Sequence, residues 1–352
     1  DNIKRDDLSW EKNQMINAGI DLQMFDGYLG LSVDYYNTNT SNMLLYVPVP
    51  LLTGYSTSLQ NLGKVNNRGW ELALTSQHTF TNGFGYSFNA NYAKNTNEVK
   101  ELGPGNAPII SSGSVGHAYY ITEVGKPIGN YYLLVQDGIF ATEEDLKKYP
   151  HFDNTEVGDF RFVDVDGDGK LDLDKDRTIC GNYMPKFTYG FGGKLWYAGF
   201  DMDFNFQGVY GNKILNLNKR YLDNMEGNTN GTKIALDRWK SPENPGSGSV
   251  NKANRKQTGY NSRTSTWHLE SGSYLRLQNL SLGYTLPRAL TQKFKVEKMR
   301  VYVSGQNLFT ITNYSGYNPE VNARPSKNLT PGEDYGTYPL ARTYMFGLNL
   351  TL

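Results

Sequence analysis

Apolar and polar residues alternate with a period of two along every clearly patterned stretch of this chain, the signature of strands with one greasy face. Ile16, Ala18, Ile20, Leu22 and Met24 are apolar, and the residues between them, Asn17, Gly19, Asp21 and Gln23, are polar or small. Asp26-Gly27 marks a tight turn, after which Leu29, Leu31, Val33 and Tyr35 resume the alternation and predict a hairpin. Trp70, Leu72 and Leu74, a turn at Thr81-Asn82-Gly83, then Phe84, Tyr86, Phe88, Ala90 and Tyr92 predict a second. The third is the cleanest. Phe187, Tyr189, Phe191, Leu195 and Tyr197 lead through Ala198-Gly199 to Phe200, Met202, Phe204 and Phe206. Its opposite face carries Thr188, Gly190, Gly192, Lys194, Asp201, Asp203, Asn205 and Gln207. A fourth pair covers 274–286 and 298–310, and Tyr344, Phe346, Leu348, Leu350 and Leu352 define a last strand. The prediction is nine strands of about 10–14 residues, longer than soluble sheets use and long enough to cross a bilayer at a tilt.

The connections between these strands fall into two sets. Tight turns near Asp26, Asn82 and Gly199 and a short link over 287–297 form one; long excursions over 37–66, 97–186, 212–272 and 311–340 form the other. Structureless loops of that length are uncommon in compact domains, whereas short turns at one end and long loops at the other characterise outer-membrane barrels. Aromatics crowd the turns (Phe25 and Tyr28, Phe80 and Phe84, Tyr197 and Phe200), as an interfacial girdle would. The competing architecture is a soluble antiparallel sandwich, which would have to bury several Tyr per apolar face in a dry core.

Composition sharpens this choice without making it. The chain has 26 Tyr, 16 Phe and 37 Gly, which suit a girdled barrel and a sandwich alike. The formal net charge of +0 argues against nucleic acid as a partner. Cys180 is the one cysteine, so there is no internal disulfide, redox pair or thiolate zinc cluster. The start DNIKRDDLSW does not read as a signal peptide, and no apolar run approaches the ~20 residues of a membrane helix.

The conspicuous chemistry is an acidic run from Asp164 to Asp176. Asp164, Asp166, Asp168 and Gly169 match positions 1, 3, 5 and 6 of a D-x-D-x-D-G calcium loop, in which alternate carboxylates converge on one hard cation. Lys170 would contribute its carbonyl and Asp172 falls at position 9. Position 12, where a bidentate Glu is expected, is Lys175; closure therefore falls to Asp174 or Asp176 across a one-residue bulge. No helical pattern flanks the run. The expectation is a structural Ca2+ site held by Asp164, Asp166, Asp168, Lys170, Asp172 and Asp176; the bland alternative is a solvated loop whose Asp side chains cap their own turns.

Catalytic patterns are thin. Nothing in the acidic run sets one carboxylate apart from another, as a glycosidase pair requires. His78, His117, His151 and His268 have no ligand spacing, and no nucleophile elbow, P-loop or dinucleotide fingerprint occurs. Tyr119-Tyr120, Tyr131-Tyr132 and Trp267 lie in long loops, where they can stack on sugars or peptide side chains or simply pack locally.

Five phrases taken in order are distinctive: NLGKVNNRGWELAL (61–74), VGKPIGNYY (124–132), GDFRFVDVDGDGKLDLDKDRTICGNYMPKFTYGFG (158–192), SYLRLQNLSLGYTLP (273–287) and VYVSGQNLFTITNYSGYNPEV (301–321). Together with the closing ARTYMFGLNLTL, this set resembles the C-terminal part of SusC/RagA-type TonB-dependent transporters. The resemblance implies an all-β fold, an antiparallel transmembrane β-barrel of which residues 1–352 supply roughly the last nine of 22 strands. It also implies an outer-membrane location, no enzymatic activity, and import of oligosaccharides or peptides with a SusD-like surface lipoprotein and the TonB complex. Loop 97–186, with its Asp motif, would then be extracellular. The family's plug, its TonB-contacting segment and its earlier strands find no match within these residues. A soluble calcium-dependent glycan-binding β-protein is the alternative.

Overall fold

The computed structural model describes residues 8–49, 51–55, 57–61, 63–115, 117–256 and 259–352. Nine long strands form one antiparallel sheet: β1 Lys12–Met24, β2 Leu29–Ser41, β3 Lys64–Thr79, β4 Gly85–Glu101, β5 Phe187–Tyr197, β6 Phe200–Tyr210, β7 Tyr274–Thr285, β8 Lys298–Thr312 and β9 Thr343–Thr351. They pair strictly in chain order, and among the described residues β1 and β9 each have one neighbour in this sheet. The expected strands are therefore all present, but several reach further than the alternation shows. β2 and β3 run into the excursion expected over 37–66, and β4 extends to Glu101, so the second long connection is 102–186 rather than 97–186. The extra residues are polar on both faces (Asn37, Asn39, Asn66, Asn95, Asn97), so no hydrophobic period marks them. They are held by amide ladders such as Asn66 Nδ2 to Asn37 Oδ1 at 2.6 Å and Asn97 Nδ2 to Asn67 Oδ1 at 2.9 Å.

The tight turns follow their sequence. Ala198 and Gly199 adopt φ 47° and 87°, the two positive values of a primed hairpin turn, whose twist suits the flanking strands. Pairing then lines the apolar residues of successive strands into continuous rows. One runs Leu22, Leu31, Leu74, Ala90, Phe191, Phe206, Leu277 and Phe309. Another runs Tyr86, Leu195, Met202, Leu282, Val303 and Phe346. A bulge keeps β7 in line with this pattern. One residue step on β6 (Asn205–Phe206) faces two on β7 (Leu277–Asn279) and three on β8 (Gln306–Phe309). Leu275 and Leu277 therefore share the apolar face with Leu280, Leu282 and Tyr284 although their parity is opposite.

This face is open. Ile20 is 63% exposed, Phe200 65% and Phe346 84%, far beyond the contiguous apolar patches that water-soluble monomers show. The opposite face is polar and cross-linked near the turn end, where Arg300 reaches across Gly283 to bind Asp201 through two nitrogens, at 2.8 and 2.5 Å. A Cβ on Gly283 would lie 2.3 Å from that guanidinium, so the close approach requires glycine.

The buried core lies elsewhere. Within the nine strands, the buried apolar side chains are Val65, Val99, Tyr274 and Leu277; nearly all the others belong to the long connections. These connections form one cap. The strands Ile109–Ser112, Tyr119–Thr122, Asn130–Leu134 and Arg177–Asn182 make a four-stranded sheet, and Lys213–Asn216, Leu269–Ser271 and Glu333–Asp334 a three-stranded one. Met43, Val99, Ile128 and Leu329 share a cluster, which joins the first, second and fourth connections to the sheet. Tyr131, Leu133, Leu215 and Leu217 join the second to the third.

Glu333 ties the fourth connection to the second. It is fully buried and accepts hydrogen bonds from the Ser114 N–H (3.0 and 3.1 Å), the Ser114 hydroxyl and the Tyr120 hydroxyl (3.1 Å). Burial, the neighbouring Tyr131 and this carboxylate push the Tyr120 hydroxyl far above its ordinary pKa, so it remains a donor. Glu333→Ala leaves three donors without an acceptor and is expected to cost about 2–4 kcal/mol. Hydrogen exchange tests this: 109–122 should lose protection while β5 and β6 keep theirs, and uniform protection throughout would refute it.

Candidate functional site

Phe160–Phe162 and Arg177–Asn182 carry the chain into and out of the acidic loop, so strands frame it and helices do not. Within it the side chains fold back on their own backbone. Asp164 accepts from the N–H groups of Gly167 (2.7 Å) and Gly169 (2.8 Å), Asp166 from Asp168 (3.2 Å) and Asp168 from Lys170 (2.9 Å). Gly169 has φ 81°, which permits this wrapping. Carboxylate oxygens of Asp164, Asp166 and Asp168 thereby come within 4.8 Å of one another. The donated N–H bonds, that of Gly169 foremost, hold Asp164 below its ordinary pKa. The three make a cluster of hard oxygen donors, the ligand type that a cation such as calcium prefers.

The other expected ligands take different parts. Asp172 accepts from the N–H groups of Asp174 (2.7 Å) and Lys175 (3.2 Å), which lowers its pKa as well. Asp176 is buried, and its two oxygens accept from Val165 N–H (2.8 Å) and Asp172 N–H (2.6 Å), drawing the two limbs together. Neither belongs to the 4.8 Å cluster. Asp174 turns outward to Arg177 Nη1 at 3.1 Å, and Lys170 is exposed with its N–H bound to Asp168. The loop therefore combines both sequence readings: three carboxylates converge, while the rest cap turns and close the loop. Beside it an open groove of about 940 Å³ runs against 146–153, with Lys148, Tyr149, His151 and Tyr260 among its walls.

The other singled-out residues divide clearly. Tyr120 and Tyr131 are fully buried core side chains and cannot stack on a ligand, while Trp267 is half-buried and packs on Phe160 with ring centroids 5.1 Å apart. Tyr119 lies under the Arg177 guanidinium at 3.7 Å. His78 packs edge-on between Tyr28 (4.5 Å) and Phe80 (4.4 Å) at the turn end, as a girdle residue would. His268 is wholly buried, and its Nδ1 accepts from Ser265 N–H at 3.2 Å. Burial, then the charges of Lys219 and Arg220, push its pKa down to about 3. On the polar face, Gln207 is committed to Glu320 (3.0 Å), which Tyr274 (2.7 Å) and Arg276 also bind, and Asp201 is committed to Arg300. Asp203 stays exposed.

Sequence reasoning missed Glu333, Glu320 and the arginines Arg220 and Arg263. Each acts on partners far away in sequence, and no short-range spacing can reveal such a pair.

A nine-stranded sheet with one lipid-compatible face, one polar face and a cap built from long loops at one end defines a class: the wall of an outer-membrane β-barrel. No helix among the described residues is long and apolar enough to cross a membrane. Residues 2–308 match the model of the family described as "TonB dependent receptor-like, beta-barrel", and the chain belongs to that family of outer-membrane receptors. It is 35% identical over 358 residues to TonB-dependent receptor P3 of Formosa agariphila, covering 98% of this chain and 34% of that protein. With TonB-dependent receptor SusC of Bacteroides thetaiotaomicron it shares 27% identity over 98% of this chain and 32% of the relative. The solved structure of the RagAB peptide transporter superposes with a TM-score of 0.80 at 26% identity, covering 98% of this chain and 36% of that one. The chain thus spans about a third of the length of the relatives it matches. The relatives it matches are receptors and transporters, not enzymes.

Asp176→Ala removes the acceptor of Val165 N–H and Asp172 N–H and is expected to loosen the loop by about 1–3 kcal/mol. Faster proteolytic nicking within 164–176, with the nine strands still protected, is the expected result; unchanged nicking would show that Asp176 does not hold the loop.

Proposed function

We propose that this chain forms wall and cell-surface cap of a TonB-energised outer-membrane importer of the SusC/RagA type. Its cargo would be oligosaccharides or peptides, received with a SusD-like surface lipoprotein. The observation that carries this reading is the pair of unbroken apolar rows across the sheet, backed by a polar inner face. Lipid favours the first and a water-filled lumen the second. The cap supports the partner assignment: four connections packed as one body present a stable surface, whereas separate mobile loops would have to be ordered on binding. We assign coupling to TonB to the part of such a receptor that lies outside the matched third. A soluble glycan-binding protein would have to hold the same apolar rows in water, and no observation favours it.

Within this reading, Asp164, Asp166 and Asp168 hold a structural Ca2+ that braces the loop beside the groove. The ion would add charge neutralisation to three carboxylates that already converge.

Two measurements test these assignments. Purified from outer membranes in mild detergent, the protein is expected to bring down a surface lipoprotein in comparable amount, and uptake of labelled oligosaccharides or tryptic peptides is expected to stop without TonB. A protein that stays folded and monomeric in detergent-free buffer would refute the membrane reading. Separately, Asp166→Asn is expected to lower calcium affinity at least about tenfold, read by calorimetry, with the calcium-free fold unchanged. No heat of calcium binding by the unmodified protein would dispose of the ion.

A further inference from the structure

Three arginines from different parts of the cap meet at the junction of its second and third connections. Arg177 begins the strand after the acidic loop and pairs across the sheet with Leu134, which bridges to Ser265. This brings Arg177 beside the segment that carries Arg263. Arg220 joins them through a hydrogen bond from its Nη1 to the carbonyl of Ser262. Tyr119 lies beneath Arg177 at 3.7 Å, and Tyr260 lies 5.3 Å from Arg263. His117, two residues before Tyr119, holds a left-handed φ of 71°.

The charges are unevenly balanced. Arg177 has Asp174, whose side chain is 87% exposed. Among the described residues no carboxylate lies within 4.0 Å of Arg220 or Arg263. Their charge is felt at His117, whose pKa falls to about 4, first through burial and then through Arg263, Arg220 and Arg177. His117 is therefore neutral at physiological pH, and its ring adds no cation of its own. Three half- to fully buried guanidinium groups beside two aromatic rings, with only the buried Glu226 acting on Arg263 from beyond ion-pair distance and no carboxylate paired with Arg220, are unfavourable to assemble unless a further anion completes them.

We propose that Arg177, Arg220 and Arg263, gathered around His117 and Tyr119, form an anion site in the cap that takes a carboxylate group of the imported oligomer. The planar fork of each guanidinium suits a carboxylate, and the tyrosine faces suit the ring or side chain that bears it. The site rests on the import reading and narrows it to acidic cargo, whether a uronic acid in an oligosaccharide or an acidic side chain in a peptide.

The test uses the protein in outer-membrane preparations with two probe pairs: trigalacturonate against its methyl ester, and a triglutamate peptide against triglutamine. One acidic probe is expected to bind at least about tenfold more tightly than its neutral partner, with an affinity that falls as salt rises. Which pair shows the preference identifies the source of the carboxylate. The double variant R220Q/R263Q is expected to abolish the preference, and R220K/R263K to retain part of it. Should the Gln variant fail to assemble, histidine-labelled wild-type protein gives a second reading, because a bound carboxylate must raise the pKa of His117 from about 4. Equal binding of acidic and neutral probes, an unshifted His117 titration on binding, or an assembled double variant with full preference would each overturn the site. TonB-dependent uptake of neutral oligomers alongside such a result would leave the import reading standing; loss of all uptake dependence on the protein would remove both.

Discussion

A backbone N–H or C=O that faces hydrocarbon has no water to turn to, and each one left unpaired costs several kcal/mol. That constraint organises the whole sheet. It explains why strands pair strictly in chain order and why their register runs unbroken across turns of quite different length. It also explains why irregularity is confined to two places, the cap end of β3 and β4, where Lys64–Val65 faces Val99–Glu101, and a stretched bulge on β7 and β8 that is absorbed between paired stretches on either side. The apolar rows on one face and the Arg300–Asp201 clamp on the other follow from it, since both need fixed neighbours.

Much of this was legible in the chain. A period of two exposes a strand wherever one face is greasy, and β5 and β6 were found to within a residue because Phe187 to Phe206 alternates almost without a break. Legibility ended where both faces are polar. The upper parts of β2, β3 and β4 carry Asn on both sides, and the amide ladders that hold them are made between residues about 28 apart, such as Asn95 with Asn67. The cap was read as loops for a related reason. Its strands are only two to six residues long, too short to establish an alternation, and Glu333 is indistinguishable in sequence from any exposed acid.

The acidic loop shows how motif and fold share one set of residues. Spacing alone identified Asp164, Asp166 and Asp168, because alternate carboxylates around a glycine turn converge whatever surrounds them. The closing position could not be read the same way. It depends on where the two limbs meet, and in the fold it is Asp176, buried and bonded to backbone, that draws them together. The arginine cluster lies at the far end of this scale, since Arg177, Arg220 and Arg263 share nothing in sequence and meet only through tertiary packing.

The bulge at Gln278 acts as a phase shifter. Above it on β7 the odd positions meet lipid, and below it the even ones do. Losing that single residue would turn Leu275 and Leu277 into the lumen and present Arg276 to hydrocarbon, while every residue below stayed in place. Length changes in these strands are therefore tolerable in pairs and damaging singly. The long connections, which carry no such phase, can vary one residue at a time, and it is there that receptors built on this wall are free to diversify.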